Sequence, residues 1–307
     1  MDYIKEINKL RKDKNAVIMA HYYQSSDIQD IADNVGDSLQ LAQWASKTDA
    51  DIIVLCGVHF MGETAKILSP NKKVLIPDIE AGCSLADSCP AEEFEKFINK
   101  HPNYKVISYV NTTAAVKALS DVLVTSTNAR KIVESFNKDE KIIFGPDKNL
   151  GNYINSVTGR NMILWNGACH VHEKFSVEKI VALKKEYPDA LVLAHPECKA
   201  TVLAISDFVG STAAILNFAG KSEKNRFIVA TESGILHKMK QSYPNKQFIP
   251  APPDDAICVC NECSYMRLNT LEKLYKCLRD ETPEIKIDPE IREKAVKPIL
   301  RMLELSK

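Results

Sequence analysis

Net charge is what this chain most conspicuously lacks: 40 Lys and Arg stand against 40 Asp and Glu in 307 residues, a formal charge of +0. That balance removes the electrostatic case for nucleic acid or an anionic membrane surface, so an anionic ligand must be held by local groups. No run approaches the ~18 to 20 consecutive apolar residues that a spanning helix needs. The opening Met1-Asp2-Tyr3-Ile4-Lys5-Glu6 has no apolar signal region, which makes the cytoplasm the expected location. No low-complexity tract or long linker interrupts the sequence. Nine cysteines in a reducing compartment are poor material for a disulfide framework. Some are therefore expected to ligate metal, react as thiols or fill core as small hydrophobes.

What is present is a threefold repeat with a period near 87 residues. Ala20-His21-Tyr22-Tyr23, Ser108-Tyr109-Val110-Asn111 and Ala194-His195-Pro196-Glu197 each follow a β-branched run, with 109 − 21 = 88 and 195 − 109 = 86. Gly36-Asp37-Ser38, Thr125-Ser126-Thr127 and Gly210-Ser211-Thr212 repeat the offsets, as do Gly57, Gly145 and Glu232. Each unit also carries a cysteine in a late loop, Cys83, Cys169 and Cys263; here 169 − 83 = 86 but 263 − 169 = 94, so the last unit is longer. The repeat divides the chain into units at 1–86, 87–173 and 174–270 around one centre, followed by a helical segment at 271–307. The charged amphipathic stretch from Pro289 to Leu305 is expected to close back on the first unit.

Within each unit short Val- and Ile-rich runs alternate with helical spacing. The strands are expected at Ala16 to Ala20, Asp51 to Leu55 and Lys73 to Ile76; at Lys105 to Tyr109, Val122 to Thr125, Lys141 to Phe144 and Met162 to Trp165; and at Ala190 to Ala194, Asp207 to Val209, Arg226 to Ala230 and Gln247 to Ile249. Helices are expected at Ser38 to Lys47 and Gly62 to Leu68. The alternation predicts α/β architecture: three αβα three-layer units with small parallel sheets around a pseudo-threefold axis. The polar motifs all fall at carboxyl ends of strands, where open parallel sheets bind ligands.

Three thiolates, one from each unit, suit an iron–sulfur cluster or zinc, and three rather than four leave one iron open to a substrate. Cys83 and Cys169 sit in the loops Ala81-Gly82-Cys83-Ser84 and Asn166-Gly167-Ala168-Cys169-His170-Val171-His172, where an inert core cysteine would gain little. In Cys258-Val259-Cys260-Asn261-Glu262-Cys263 the CxxC could serve a zinc site or a redox pair, yet no second CxxC completes a ribbon. Register slightly favours Cys258 as the third ligand, and spacing leaves the choice among the three open. Cys56, Cys89, Cys198 and Cys277 are expected to be buried or incidental thiols, and His237, Trp44 and Trp165 to be structural.

Taken together, His21 and Tyr23, Gly36 to Ala42, Tyr109-Val110-Asn111, Phe144 to Gly151, Gly167 to His172 and His195-Pro196-Glu197-Cys198 resemble the quinolinate synthase family over nearly the whole chain. The family's Cys-x-x-Met is matched by Cys263-Ser264-Tyr265-Met266, which selects Cys263 and leaves Cys258 and Cys260 as extras with a conceivable regulatory disulfide. Tyr22 stands where the family commonly has Asn. The resemblance implies condensation of iminoaspartate with dihydroxyacetone phosphate to quinolinate, with loss of phosphate and water, for NAD biosynthesis. It also implies one 4Fe-4S cluster on Cys83, Cys169 and Cys263, no net redox change, and a functional link to an enzyme that produces iminoaspartate.

For that chemistry the motif loops offer hardly any Lys or Arg. Ser38, Ser126, Ser211 and Thr212 instead mark three expected helix starts, whose free N–H groups and dipoles hold carboxylate or phosphate. His21, Tyr23, Tyr109, His195 and Glu197 are acid–base types at equivalent strand ends. Glu197 is the expected base on the triose carbons, His21 and Tyr23 handle leaving hydroxyl or carbonyl oxygens, and Tyr109 and Asn111 orient the dicarboxylate. His195 binds phosphate or shares the base's task, and His172 is a partner of the centre or a pocket wall. The rivals are a cluster-dependent hydro-lyase acting on one hydroxy acid and a non-catalytic zinc or redox sensor built on Cys258, Cys260 and Cys263.

Overall fold

Among the described residues the β-branched runs form twelve strands in three four-stranded sheets of one and the same topology. The structure, a computed structural model, describes residues 1–254 and 261–307. The first sheet holds β1 (Ala16–His21), β2 (Asn34–Gly36), β3 (Ile52–Cys56) and β4 (Lys73–Leu75) in the order β2-β1-β3-β4. The second holds β5 (Lys105–Tyr109), β6 (Val122–Val124), β7 (Ile142–Gly145) and β8 (Ile163–Leu164) in the order β6-β5-β7-β8. The third holds β9 (Leu191–Ala194), β10 (Phe208–Val209), β11 (Arg226–Ala230) and β12 (Gln247–Pro250) in the order β10-β9-β11-β12. All pairings within them are parallel, which gives the expected α/β class with three small parallel sheets.

An aspartate repeats with the sheets. Asp33 Oδ2 accepts the Ile18 N–H at 2.8 Å, Asp121 that of Val106 at 2.8 Å and Asp207 that of Val192 at 2.7 Å, and 121 − 33 = 88 while 207 − 121 = 86. Each of these residues also donates its own N–H to the carbonyl of the same partner, so one side chain closes the start of the edge pairing in every unit, β1 with β2, β5 with β6 and β9 with β10. β3 and β7 are buried along their whole length, and each Val, Ile or Leu so placed contributes about 1.5–3 kcal/mol by leaving water.

Departures from expectation are local with one exception. The three residues of β2 are too few for a periodic signal, and the helix expected from Gly62 begins at His59 and runs His59–Leu68. The closing helix is Pro289–Leu305, capped by Asp288. It packs mainly on the second unit, against the helix Ala114–Ala118 and β6, with a smaller contact to His59–Leu68 of the first. Its buried Ala295, Ile299 and Met302 join the apolar cluster that contains Ala114, Val122 and Val124. The helix Leu271–Asp280 is the one that lies chiefly on the first unit, against Tyr3–Asp13. Among the described residues no helix is long and apolar enough to cross a membrane. Cys258 and Cys260, and the disulfide considered for them, lie outside the described residues.

Candidate active site

The carboxyl ends of the three sheets surround a cavity of about 70 Å³. Equivalent positions from the three repeats meet there: His21 and Tyr23 after β1, Tyr109 and Asn111 after β5, His195 and Glu197 after β9. Cys83, Cys169, Cys263, His172, Ser38, Ser126 and Thr212 line the same cavity, and no Lys or Arg does among the described residues. Among the described residues given a site role from the sequence, Ser211 is the one that does not reach it. Its Oγ accepts the Ala214 N–H at 3.3 Å as the cap of the helix Thr212–Lys221 and bonds Thr127 Oγ1 at 2.9 Å. Thr127 Oγ1 also donates to Asp37 Oδ2 at 2.9 Å, so the second loops of the three units are tied together.

The three expected helix starts differ in detail. Asp37, not Ser38, caps the helix Ser38–Ala45, in a capping box with Gln40; a carboxylate accepts the Gln40 N–H as well as a serine would, and Ser38 becomes the first helical residue. Ser126 lies in a turn ahead of Asn128, which precedes the helix Ala129–Glu134. Two of the three loops therefore present a helix N-terminus directly to the cavity, with Ser38 and Thr212 at position one.

Glu197 is the hub of the polar network. Tyr109 Oη donates to its Oε1, and His172 Nδ1 stands 3.0 Å from its Oε2. Burial works against its charge, yet His172, the His195 imidazole and the Tyr109 hydroxyl hold the carboxyl well below the usual range. Burial raises the Tyr109 phenol well above its ordinary value, and the Glu197 charge adds to it. Burial also pushes His21 and His195 down to about 3 against the pull of Glu197, so both imidazoles are neutral near pH 7. Their tautomers are set by one repeated turn: His21 Nδ1 accepts the Tyr23 N–H at 3.2 Å and His195 Nδ1 accepts the Glu197 N–H at 3.3 Å, which leaves Nε2 as the protonated nitrogen in each. Tyr23 Oη bonds Thr212 Oγ1 and Thr231 Oγ1, each at 2.7 Å, and Thr231 Oγ1 lies 3.0 Å from His172 Nε2. Asn111 Oδ1 is buried with no hydrogen-bond partner among the described residues, an acceptor suited to a ligand's donor.

The three cysteines are free thiols, one from each unit. Burial pushes Cys83 up to about 12 and raises Cys169 and Cys263 as well, and the charge of Cys263 acts on Cys83 as that of Cys83 acts on Cys169. A metal would displace those protons. Among the described residues one trio of His, Cys, Asp or Glu has its ligand atoms all within 4.8 Å of one another, namely Cys169, His172 and Glu197. The three cysteines are thus spaced more widely than a single ion with sulfur at about 2.3 Å requires. Three soft donors converging at that spacing fit a polynuclear iron–sulfur group. Cys56, Cys89, Cys198 and Cys277 are buried away from the cavity lining.

Other functional neighbours were given no role from the sequence, although Asp147 and Asn149 lie in the Phe144 to Gly151 motif and Glu232 in the repeat. Asp147 Oδ2 accepts the Cys169 N–H at 3.2 Å. Glu232 accepts the Cys263 N–H at 3.2 Å and the Arg267 guanidinium at 3.1 Å, which ties down the third cysteine loop. Asn149 Nδ2 donates to the Glu197 carbonyl at 3.1 Å. Thr231, directly after β11, joins Tyr23 to His172.

Buried acid–base groups, free thiols and two helix N-termini gathered in one cleft define an enzyme site. Residues 5–304 match the family model described as Quinolinate synthetase A protein. The chain is 59% identical over 307 residues to a quinolinate synthase of Chloroherpeton thalassium, covering 100% of this chain and 95% of that protein. It is 57% identical over 305 residues to those of Microcystis aeruginosa, covering 99% and 95%, and of Synechocystis sp., covering 99% and 96%. The chain belongs to the quinolinate synthase A family and is an enzyme of NAD biosynthesis.

Proposed function

We propose that this enzyme condenses iminoaspartate with dihydroxyacetone phosphate to give quinolinate, phosphate and water, with a 4Fe-4S cluster on Cys83, Cys169 and Cys263. The observation that carries the proposal is the convergence of one thiol from each unit on the cavity in which Glu197, Tyr109, His21 and His195 also meet. When bound, the cluster supplies a Lewis-acidic iron with no protein ligand.

The chain's own residues divide the remaining work. Both substrates are anions, and with no Lys or Arg in the lining they are held by the N-termini of Ser38–Ala45 and Thr212–Lys221 and by the hydroxyls of Ser38, Ser126 and Thr212. Asn111 and Tyr109 orient the dicarboxylate. Glu197, ionised and fixed by two donors, takes the proton from the triose carbon. The neutral imidazoles of His21 and His195 donate from Nε2, His21 together with Tyr23 to a leaving hydroxyl or carbonyl oxygen and His195 to phosphate. Burial of these groups excludes water from a labile imine. That lability also favours a functional link to the enzyme supplying iminoaspartate, in the cytoplasm. The units at 1–86, 87–173 and 174–270 are the working divisions, with 271–307 as their brace.

Anaerobic purification followed by iron and sulfide analysis, with assay of quinolinate from the two substrates, tests the proposal. A brown protein with 4Fe-4S stoichiometry that forms the pyridine product is expected. A protein that takes up no iron and sulfide even when zinc is absent overturns it, as does a protein that only dehydrates a single hydroxy acid.

A further inference from the structure

We propose that the cluster-free enzyme binds one divalent transition-metal ion of the zinc class on Cys169, His172 and Glu197. His172 Nδ1 lies 3.2 Å from Cys169 Sγ and 3.0 Å from Glu197 Oε2, and the three ligand atoms fall within 4.8 Å of one another. A four-coordinate ion with sulfur at about 2.3 Å and nitrogen or oxygen at about 2.0–2.2 Å sets neighbouring donors about 3.2–3.8 Å apart, so only small movements are needed.

The supporting contacts are those of a built site. Without metal His172 Nδ1–H faces Glu197; with the ion on Nδ1 the ring proton sits on Nε2, where Thr231 Oγ1 at 3.0 Å accepts it. Tyr109 holds the other oxygen of Glu197, and Asp147 holds the Cys169 backbone. The side chains of His172 and Glu197 are each 3% exposed, so neither is free to swing away. Charge also balances: the thiol releases its proton on binding, and one thiolate plus one carboxylate cancel the 2+ of the ion, as a buried cavity without a cationic lining demands. The fourth position faces the cavity, where water completes the shell.

This site uses neither Cys83 nor Cys263. It shares Cys169 with the three-cysteine centre, and so, on the reading given under the proposed function, a zinc-class ion and the cluster exclude one another.

Cobalt(II) titration of the full-length, chelator-stripped protein under anaerobic conditions tests the assignment. One equivalent is expected to develop a sulfur-to-cobalt band in the near ultraviolet together with visible four-coordinate absorption. The Cys83→Ala/Cys263→Ala double variant keeps both features, while His172→Gln and Glu197→Gln, checked for folding by circular dichroism, each weaken cobalt binding by at least about tenfold. Loss of the bands in the cysteine double variant, or indifference to both His172→Gln and Glu197→Gln, overturns the site. Zinc loaded first should block iron and sulfide uptake, and cluster assembly unaffected by zinc overturns the exclusion. A failure of the cluster reading shows separately, as protein that takes up no iron and sulfide even when zinc is absent.

Discussion

Asp147 Oδ2 accepts the Cys169 backbone N–H at 3.2 Å while its Oδ1 accepts that of Leu150 at 2.7 Å, so one carboxyl both caps the helix Lys148–Thr158 and fastens a thiol-bearing loop. The loop approaches closely enough that a Cβ on Gly167 would lie 2.6 Å from the Pro146 carbonyl oxygen. Asp147→Ala should cost about 0.5–2 kcal/mol through loss of the cap, read as a lower urea midpoint. It should also speed the loss of iron from purified protein, because the Cys169 N–H is left unpaired. An unchanged midpoint and an unchanged rate of iron loss would remove Asp147 from both roles.

Position distinguishes the cysteines sharply. Cys83→Ala, Cys169→Ala and Cys263→Ala should each lose iron near-stoichiometrically, together with activity, because each deletes a donor that faces the shared cavity. Cys277→Ala and Cys198→Ala should retain iron, since these thiols are buried outside the lining. Iron and sulfide analysis of the anaerobically prepared variants decides the matter, and a full cluster in any one of the first three sinks that ligand's assignment.

Glu197→Gln is the corresponding test of acid–base work. The amide keeps the shape and can still accept from Tyr109, so iron content should be preserved. Turnover should fall by roughly 10²–10⁴-fold, the usual worth of a positioned base. Wild-type rates in that variant would exclude Glu197 as the proton acceptor.

The repeat made the centre of the molecule legible before any coordinate. His21, Tyr109 and His195 share a register, a register of this kind forces equivalent placement at three strand ends, and the cavity lies there. The runs Lys105–Tyr109 and Arg226–Ala230 also read directly as strands, because buried parallel strands are continuous β-branched stretches. Other features depend on tertiary context. Asp37 and Ser38 are both good caps and adjacent, and only the backbone angles decide which one accepts the Gln40 N–H. The pattern of Pro289–Leu305 announces a buried face without naming its partner, and only the fold sets Ala295, Ile299 and Met302 in the cluster that holds the second unit's Ala114 and Val122. Thr231 reads as an ordinary strand residue until the fold brings Tyr23 and His172 against it.

The C-terminal segment is tied to the first unit through Glu281, which accepts Lys14 Nζ at 2.6 Å on Oε1 and Lys73 Nζ on Oε2. Hydrogen bonds from the two lysines hold its carboxyl down, at about 2 against an ordinary 4.5. For a depressed acid the unfolded chain binds the proton first as pH falls, so the stabilisation is complete above the unfolded value and disappears as pH drops through the folded one. The carboxyl is partly exposed, which keeps the effect small and sensitive to salt. Glu281→Gln should therefore lower the urea midpoint modestly at pH 7, with the gap from wild type shrinking between about pH 4.5 and 2 and narrowing again at high ionic strength. A gap that stays constant down to pH 2 would show that Glu281 acts through packing or its left-handed backbone, φ 53°, rather than through its charge.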